Sequence, residues 1–131
     1  MKHKKNAFLI CPVRGHDMSE TEETVKELEK KYHVHWPPRD TNQEDPVGLQ
    51  ICLDNMDAIK KSDIVLVIWD GKSQGCLFDL GIAFAMEKPI EVIEAPPVEK
   101  GKKSFQAMMS LWELGEWWRK PIETKERPCK R

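Results

Sequence analysis

Five consecutive apolar residues, Ile64 to Ile68, dominate the hydrophobic pattern of the chain, and four of them are β-branched. A run of this kind is typical of a strand buried on both faces, as in a parallel sheet covered by helices. A polar loop over Asp70–Gly75 follows, and from Cys76 the apolar residues recur at helical spacing until Lys88-Pro89 ends the helix. Ile90 begins another short apolar run. The stretch therefore predicts a β-α-β unit.

The same alternation extends through the rest of the chain. It predicts strands at 7–11 and 34–36, and helices at 19–32, 45–61 and from 104 onward. Three of the helix starts carry a capping signal: Ser19 with Glu22 forms a capping box, Asp45-Pro46 combines a cap with a proline at the first position, and Ser104 caps the last helix. The second long helix is predicted to bury one apolar face, namely Leu49, Cys52, Leu53, Met56 and Ile59.

The element order predicts one α/β domain, with a Rossmann-like or flavodoxin-like doubly wound parallel sheet of four to five strands. Residues 1–118 make up this domain, and residues 119–131, with six basic and two acidic side chains, form a basic C-terminal tail. Ligands of such folds bind at the carboxyl edge of the sheet. We therefore expect the ligand-binding and catalytic residues in the loops at 12–19, 37–44, 70–75 and 95–103.

Composition narrows the class of protein. A net charge of −1 gives no basic field for polymeric nucleic acid, and no apolar run approaches the roughly 20 residues of a membrane span. The N-terminus lacks the apolar stretch of a signal peptide. The four cysteines, at 11, 52, 76 and 129, have neither metal nor redox spacing, so we expect reduced thiols. These features favour a cytoplasmic protein without a membrane partner, metal or cofactor.

Two loops at the predicted carboxyl edge could bind an anion. Arg14-Gly15, just after Pro12, combines a guanidinium fork with a residue that lets backbone amides approach a ligand. Ser73-x-Gly75 lies just before the N-terminus of a predicted helix, where unpaired amides and the helix dipole favour negative charge. Either loop alone is more simply interpreted as a surface turn. Side by side, they favour a phosphate ligand.

Asp79 is the sharpest single candidate for chemistry. A helix that starts at Cys76 places Asp79 in its first turn, where the dipole stabilises the ionised carboxylate. We therefore expect a nucleophile or a charge stabiliser rather than an acid, although spacing alone favours an aspartate that only complements the dipole. Asp54 and Asp57 share a helix face and could do acid–base work, but solvated pairs of this kind are commoner.

The stretch from Asp63 to Ile90, D-x-x-x-x-x-x-D-G-x-x-x-G-x-x-x-D-L-G-x-A-x-A-x-x-K-P-I, resembles the nucleoside 2-deoxyribosyltransferase superfamily. The first strand and its loop, FLICPVRG, and the segment DNMDAIKKSDIVL resemble the branch of 2′-deoxynucleoside 5′-phosphate N-hydrolases. Judged by the order of strands and helices along the chain, the resemblance covers residues 6–112. It implies an enzyme that cleaves or transfers the base of a nucleoside 5′-monophosphate or a nucleoside.

The resemblance also implies roles for particular residues. Arg14, Ser73 and Gly75 match positions at which the hydrolases hold the 5′-phosphate, and Pro12 and Gly15, on either side of Arg14 in the same loop, are further phosphate-binding candidates. Asp79 takes the place of the family's catalytic glutamate, which attacks C1′ of the sugar and forms a glycosyl-enzyme ester. The carboxylate of Asp79 is one methylene shorter, and a displacement of about 1 Å can cost on the order of 100-fold in rate. A second family carboxylate aligns with Asn55. Asp54 and Asp57 flank that position, and a small shift of the helix would bring in one of them, of which Asp57 is the candidate catalytic residue.

In the family, neighbouring subunits complete each other's sites, which implies a homo-oligomer, most simply a homodimer. Candidates from the neighbouring subunit are Ser104, Gln106 and Ser110. We expect the contact on the apolar face of the last helix, formed by Met108, Met109 and Trp112.

Two other functions stay open at this point. One is a nucleotide-binding or regulatory domain that kept the phosphate site and lost catalysis, which the replacements at Asp79 and Asn55 favour. The other is a flavodoxin-like FMN carrier, which is less compatible with the sequence because its phosphate loop is normally rich in hydroxyl residues and 12–17 is not.

Overall fold

The structure is a computed structural model that describes residues 3–13 and 16–115. The basic tail predicted at 119–131 and two predicted phosphate-binding residues, Arg14 and Gly15, lie outside the described residues. The described elements are β1 Lys5–Ile10, α1 Met18–Leu28, β2 Tyr32–His35, α2 Pro37–Asp40, α3 Leu49–Lys61, β3 Ile64–Ile68, α4 Gln74–Ala85, β4 Ile90–Glu94 and α5 Phe105–Leu114.

The four strands form one parallel sheet in the order β2-β1-β3-β4. This confirms the predicted α/β fold with a parallel sheet. The chain moves from β1 to one side for β2 and returns to the other side for β3, so the topological switch point lies between β1 and β3. Open α/β folds bind their ligands in the crevice beyond the carboxyl ends of two such strands.

Helices cover both faces of the sheet. On one face α1 packs Val25 against Leu9 and Leu66. On the other face α3, α4 and α5 cover β1, β3 and β4, and the buried side chains of Ile59 and Trp112 belong to this larger cluster. Both faces of β3 are therefore covered, which explains why its five residues form an unbroken apolar run. No helix in the described part of the chain has the length and apolar character needed to cross a membrane.

Helix α1 starts and ends differently from the prediction. Asp17 is its N-cap and accepts a hydrogen bond from Ser19 N at 3.0 Å, so the predicted capping box on Ser19 is wrong. The hydroxyl of Ser19 itself donates to Asp17 Oδ1 at 2.7 Å. The helix ends at Leu28, and Tyr32 is the first residue of β2.

Helix α3 begins at Leu49, four residues beyond the predicted start, because Gly48 has a left-handed φ of 94°. Asp45 still supports the helix from outside, since its Oδ2 accepts a hydrogen bond from Ile51 N at 3.0 Å. The predicted apolar face is present, but most of it is not buried. Ile59 is buried, but Leu53 is 43% exposed, because the helix is rotated so that the polar side chain of Asn55 points inward.

Helix α5 begins where it was predicted to begin, directly after Ser104. Ser104 caps it by accepting a hydrogen bond from Ala107 N at 3.1 Å, and Gly115 ends it with a φ of 76°. Met109 and Trp112 are 0% and 1% exposed. The prediction that this face is an oligomer contact is therefore wrong, because these side chains form part of the domain's own core.

Candidate active site

Ser73 is the N-cap of α4, and its Oγ accepts a hydrogen bond from Cys76 N at 3.3 Å. The helix therefore begins at Gln74, two residues before the predicted start. Asp79 consequently lies beyond the first turn, and the expectation that the helix dipole keeps it ionised is wrong. The dipole effect falls off within the first turn.

Burial governs the charge of Asp79. The side chain is half-buried between α4 and the end of β1, and desolvation raises its pKa from 3.8 to about 7. Among the described residues it has no hydrogen-bond partner. At neutral pH the group is thus divided between carboxylate and carboxylic acid, and its protonated form can also donate a proton. A carboxyl group with this environment, at the switch point of the sheet, is a candidate functional group.

Two thiols lie close enough to Asp79 to interact electrostatically with its carboxylate. They are Cys11, at the end of β1, and Cys76, one turn before Asp79 on α4. Burial raises the pKa of Cys11 to about 11 and that of Cys76 to about 12. Both therefore stay protonated at neutral pH and are poor nucleophiles. Cys11, Cys52 and Cys76 are free thiols, as predicted, and Cys129 lies outside the described residues.

The loop between β3 and α4 is organised around Asp70. Its Oδ1 accepts hydrogen bonds from Lys72 N at 2.9 Å and from Ser73 N at 2.7 Å. These two amides lower the pKa of Asp70 to about 2, together with a hydrogen bond from His16. The carboxylate therefore stays charged, and it fixes the turn that presents the Ser73 hydroxyl at the start of α4.

His16 joins this loop to the loop that follows β1. His16 Nε2 lies 2.9 Å from Asp70 Oδ2. The sequence reasoning singled out neither residue. The signal was available, because both follow neighbouring parallel strands and so come together at the carboxyl edge.

Three residues that were predicted to bind phosphate, Pro12, Ser73 and Gly75, lie at this edge of the sheet. Pro12 is buried at the end of β1, and Ser73 and Gly75 begin α4. A Cβ added to Gly75 would meet no atom within 4 Å, so space above the helix start is open.

Asn55 is buried on α3, and its Oδ1 accepts a hydrogen bond from Thr41 Oγ1 at 2.7 Å. Thr41 Oγ1 in turn lies 2.9 Å from His35 Nε2. The amide is thus part of a structural network between α3 and β2. Asp57, the alternative, is exposed and pairs with Lys61 at 2.8 Å. The structure does not bring Asp57 together with Asp79.

The three candidates for a neighbouring subunit's site all make local contacts. Ser104 caps α5, Gln106 Nε2 donates to Pro97 O at 3.3 Å, and Ser110 Oγ donates to Gln106 O at 3.0 Å. Their role between subunits stays a prediction.

A cavity of about 660 Å³ lies elsewhere, between β2 and α3. Its charged side chains already have partners: Arg39 contacts Asp40 and Glu29, Lys61 contacts Asp57, and Asp54 accepts a hydrogen bond from Gln50. A binding site needs polar groups that converge on a ligand, and the already partnered groups of this cavity do not meet that need. Within residues 3–13 and 16–115 no group of three His, Cys, Asp or Glu side chains is arranged to hold a metal ion.

The fold and the site together define a class: a small α/β protein with a desolvated carboxyl group and a capped helix start at the switch point of its sheet. Comparisons with known proteins are consistent with this class. The sequence profile of the nucleoside 2-deoxyribosyltransferase family matches residues 9–108, and the chain belongs to this family. Among functionally curated proteins, no significant match is found.

Among solved structures, a CMP N-glycosidase from Clostridium botulinum, BcmB, has a similar fold. The two chains superpose with a TM-score of 0.52 and are 24% identical, over 83% of this chain and 84% of the other. At 24% identity, this similarity shows that the two proteins share a fold.

Proposed function

We propose that this protein is an N-glycosidase-type enzyme that cleaves or transfers the base of a nucleoside 5′-monophosphate. The observation that carries the proposal is Asp79, a half-buried carboxyl group at the switch point of the sheet with a pKa of about 7. Membership of the nucleoside 2-deoxyribosyltransferase family supports the reaction class. The similar fold of a CMP N-glycosidase is consistent with a nucleotide substrate.

In the proposed reaction a carboxylate oxygen of Asp79 attacks C1′ of the sugar. The C1′–N bond breaks, and its electron pair leaves with the base, which is then protonated. The product is a glycosyl ester on Asp79, which water hydrolyses to the free sugar phosphate, or which a second base resolves in transfer. A carboxylate of raised pKa is intrinsically more nucleophilic, but only its ionised fraction reacts.

The 5′-phosphate is proposed to bind at the two adjoining loops. Arg14 supplies the guanidinium fork, and Ser73 with Gly75 supplies a hydroxyl and a helix start. This places the phosphate beside α4, whose sixth residue is Asp79.

A second candidate is a nucleotide-binding or regulatory domain without catalysis. Two observations favour it: the carboxylate at 79 is the shorter aspartate, and Asn55, which replaces a family carboxylate, is engaged by Thr41. Nucleotide binding without base release would distinguish this candidate from the enzyme.

We also propose a homodimer in which the contact between the subunits is formed by α3 rather than by α5. Leu49, Leu53 and Met56, at spacings of four and three residues, are 64%, 43% and 39% exposed and form the α3 stripe. Lys60 and Lys61 follow the stripe, and Asp45 precedes it. A two-fold axis across α3 would pair the apolar stripes and place each basic end beside the partner's acidic end.

The proposed reaction is tested by release of free base from a panel of ribo- and deoxyribonucleoside 5′-monophosphates and the matching nucleosides. We expect release from at least one monophosphate and a lower rate for its nucleoside. Release from no member of the panel, although nucleotides bind, would favour the binding domain.

A further inference from the structure

We propose that His16 is a further phosphate-binding residue, and that its imidazolium neutralises Asp70 in the site. The inference rests on the proposed function, since it concerns the 5′-phosphate of the same substrate. It adds a residue that neither the sequence pattern nor the family resemblance indicated. Its basis is the contact of His16 Nε2 with Asp70 Oδ2 at 2.9 Å.

Asp70 creates an electrostatic problem for a phosphate at this edge. Its carboxylate carries a full negative charge, because its pKa is lowered to about 2, and its side chain is only 18% exposed. It also uses the amides of Lys72 and Ser73, which would otherwise be available to an anion. Like charges close together at a partly desolvated position repel strongly. A cation close to Asp70, in addition to the proposed Arg14, would therefore favour a phosphate beside α4.

His16 is placed to be that cation. Its Nε2 side faces Asp70, and its side chain is 38% exposed, so its other ring nitrogen can reach a ligand. As an imidazolium it donates one N–H to Asp70 and the other to a phosphate oxygen, and the pair then has no net charge.

The position of His16 in the chain supports the same role. It lies two residues after Arg14, on the loop that follows β1, whereas Asp70 and Ser73 lie on the loop that follows β3. The contact therefore fixes the first loop to the second across the switch point.

The structure allows a test that removes the charge of Asp70 without disturbing its turn. Both amides of the turn bind Oδ1, whereas His16 contacts Oδ2. In Asp70→Asn the amide oxygen can keep the two backbone hydrogen bonds, while the NH₂ group faces His16. The informative set is His16→Gln, Asp70→Asn and the double variant. His33→Gln, at an exposed histidine on β2, is the matched control.

Affinity for one nucleoside 5′-monophosphate and for its nucleoside is measured by calorimetry at about pH 6, where histidine side chains are largely charged. We expect His16→Gln to weaken monophosphate binding at least about tenfold, since a charge-assisted hydrogen bond is lost and Asp70 is left uncompensated. Nucleoside binding should be unchanged. Asp70→Asn alone should not weaken monophosphate binding, and the double variant should regain most of the affinity that His16→Gln loses. His33→Gln should behave as wild type.

Several outcomes would overturn the inference. Equal losses for monophosphate and nucleoside in His16→Gln would show a structural role, and no loss would show no role. A double variant as weak as His16→Gln would contradict charge compensation. Failure of the proposed function is distinguishable, because a wild-type protein that does not prefer the monophosphate to the nucleoside contradicts the phosphate site itself. If His16→Gln does not fold, a loss of monophosphate affinity in Asp70→Asn would overturn the inference.

Discussion

The hydroxyl of Thr41 donates to Asn55 Oδ1 over 2.7 Å at a buried position beneath α3. Because its one proton goes to Asn55, the Thr41 oxygen can only accept from His35 Nε2, which lies 2.9 Å away and therefore carries the proton. The His35 ring stacks on Phe8, with ring centroids 5.4 Å apart. The position that resembles a family carboxylate is here part of the network that ties α3 to the sheet.

Thr41→Val should test this network through stability. The substitution keeps the shape of the side chain but leaves Asn55 Oδ1 and His35 Nε2 without partners. Each buried polar group without a partner costs about 1–3 kcal/mol. We expect the free energy of unfolding in urea to fall by at least about 1 kcal/mol. Ser110→Ala, at an exposed hydroxyl, is the control and should change it by less than about 0.5 kcal/mol. Equal effects of the two substitutions would contradict the network.

Asp79 should make the folded state less stable as the pH rises. Its pKa in the folded state is about 7, above the ordinary value of 3.8, so between these values the folded state binds more protons than the unfolded state. Stability must then decrease with pH across that window. Asp79→Asn should remove this decrease, raising the melting temperature by several degrees at about pH 8 and changing it little at about pH 4.

Asp54→Asn is the matched control for this experiment, because Asp54 is hydrogen-bonded to Gln50 at the surface of α3. It should change the melting temperature little at either pH, as is usual for a surface substitution. A destabilising effect of Asp79→Asn at about pH 8 would mean that the carboxylate is stabilised in the folded protein, contrary to this account.

Arg14→Ala should weaken the binding of a nucleoside 5′-monophosphate by about 1.5–3 kcal/mol, the range for hydrogen bonds to charged groups. The matching nucleoside, which lacks the phosphate, should lose much less. Calorimetric titration with both ligands measures the difference. Equal losses for the two ligands would remove Arg14 from the phosphate site.

Leu53→Asp should dissociate the proposed dimer. A carboxylate in the centre of the α3 stripe would be desolvated in an apolar contact, so the dissociation constant should rise by at least on the order of 100-fold. Sedimentation equilibrium at micromolar concentration measures the change. Leu111→Asp, at a residue 59% exposed on α5, should leave the dimer intact. A monomeric wild-type protein would contradict the proposal.

The sheet could be predicted from the sequence because a strand that is buried on both faces needs an unbroken run of apolar residues, and such a run can be seen in the sequence. The bounds of β3 are those of the run Ile64–Ile68, since each residue of a doubly covered strand has to be apolar. The rotation of α3 could not be predicted in this way. Its inward face carries Asn55, and only the hydroxyl of Thr41, fourteen residues away in the chain, makes that burial acceptable.

The candidate active site could likewise be predicted only in part from the sequence. Ser73 was correctly placed before the helix, but its role as N-cap moved the helix start and took Asp79 out of the first turn. The charge of Asp79 then depends on desolvation by neighbouring elements, which spacing along the chain does not encode. The contact of His16 with Asp70 depends in the same way on two loops meeting across the switch point.

The most direct test of the central claim is base release by Asp79 variants on the nucleoside 5′-monophosphate that the wild type cleaves best. Asp79→Asn keeps the shape but cannot form the glycosyl ester, so we expect a rate loss of at least about 1,000-fold with nearly unchanged nucleotide affinity. Asp79→Glu restores the longer carboxylate of the family and should retain measurable release. Base release by Asp79→Asn at the wild-type rate, or none by wild type and Asp79→Glu alike, would contradict Asp79 as the nucleophile.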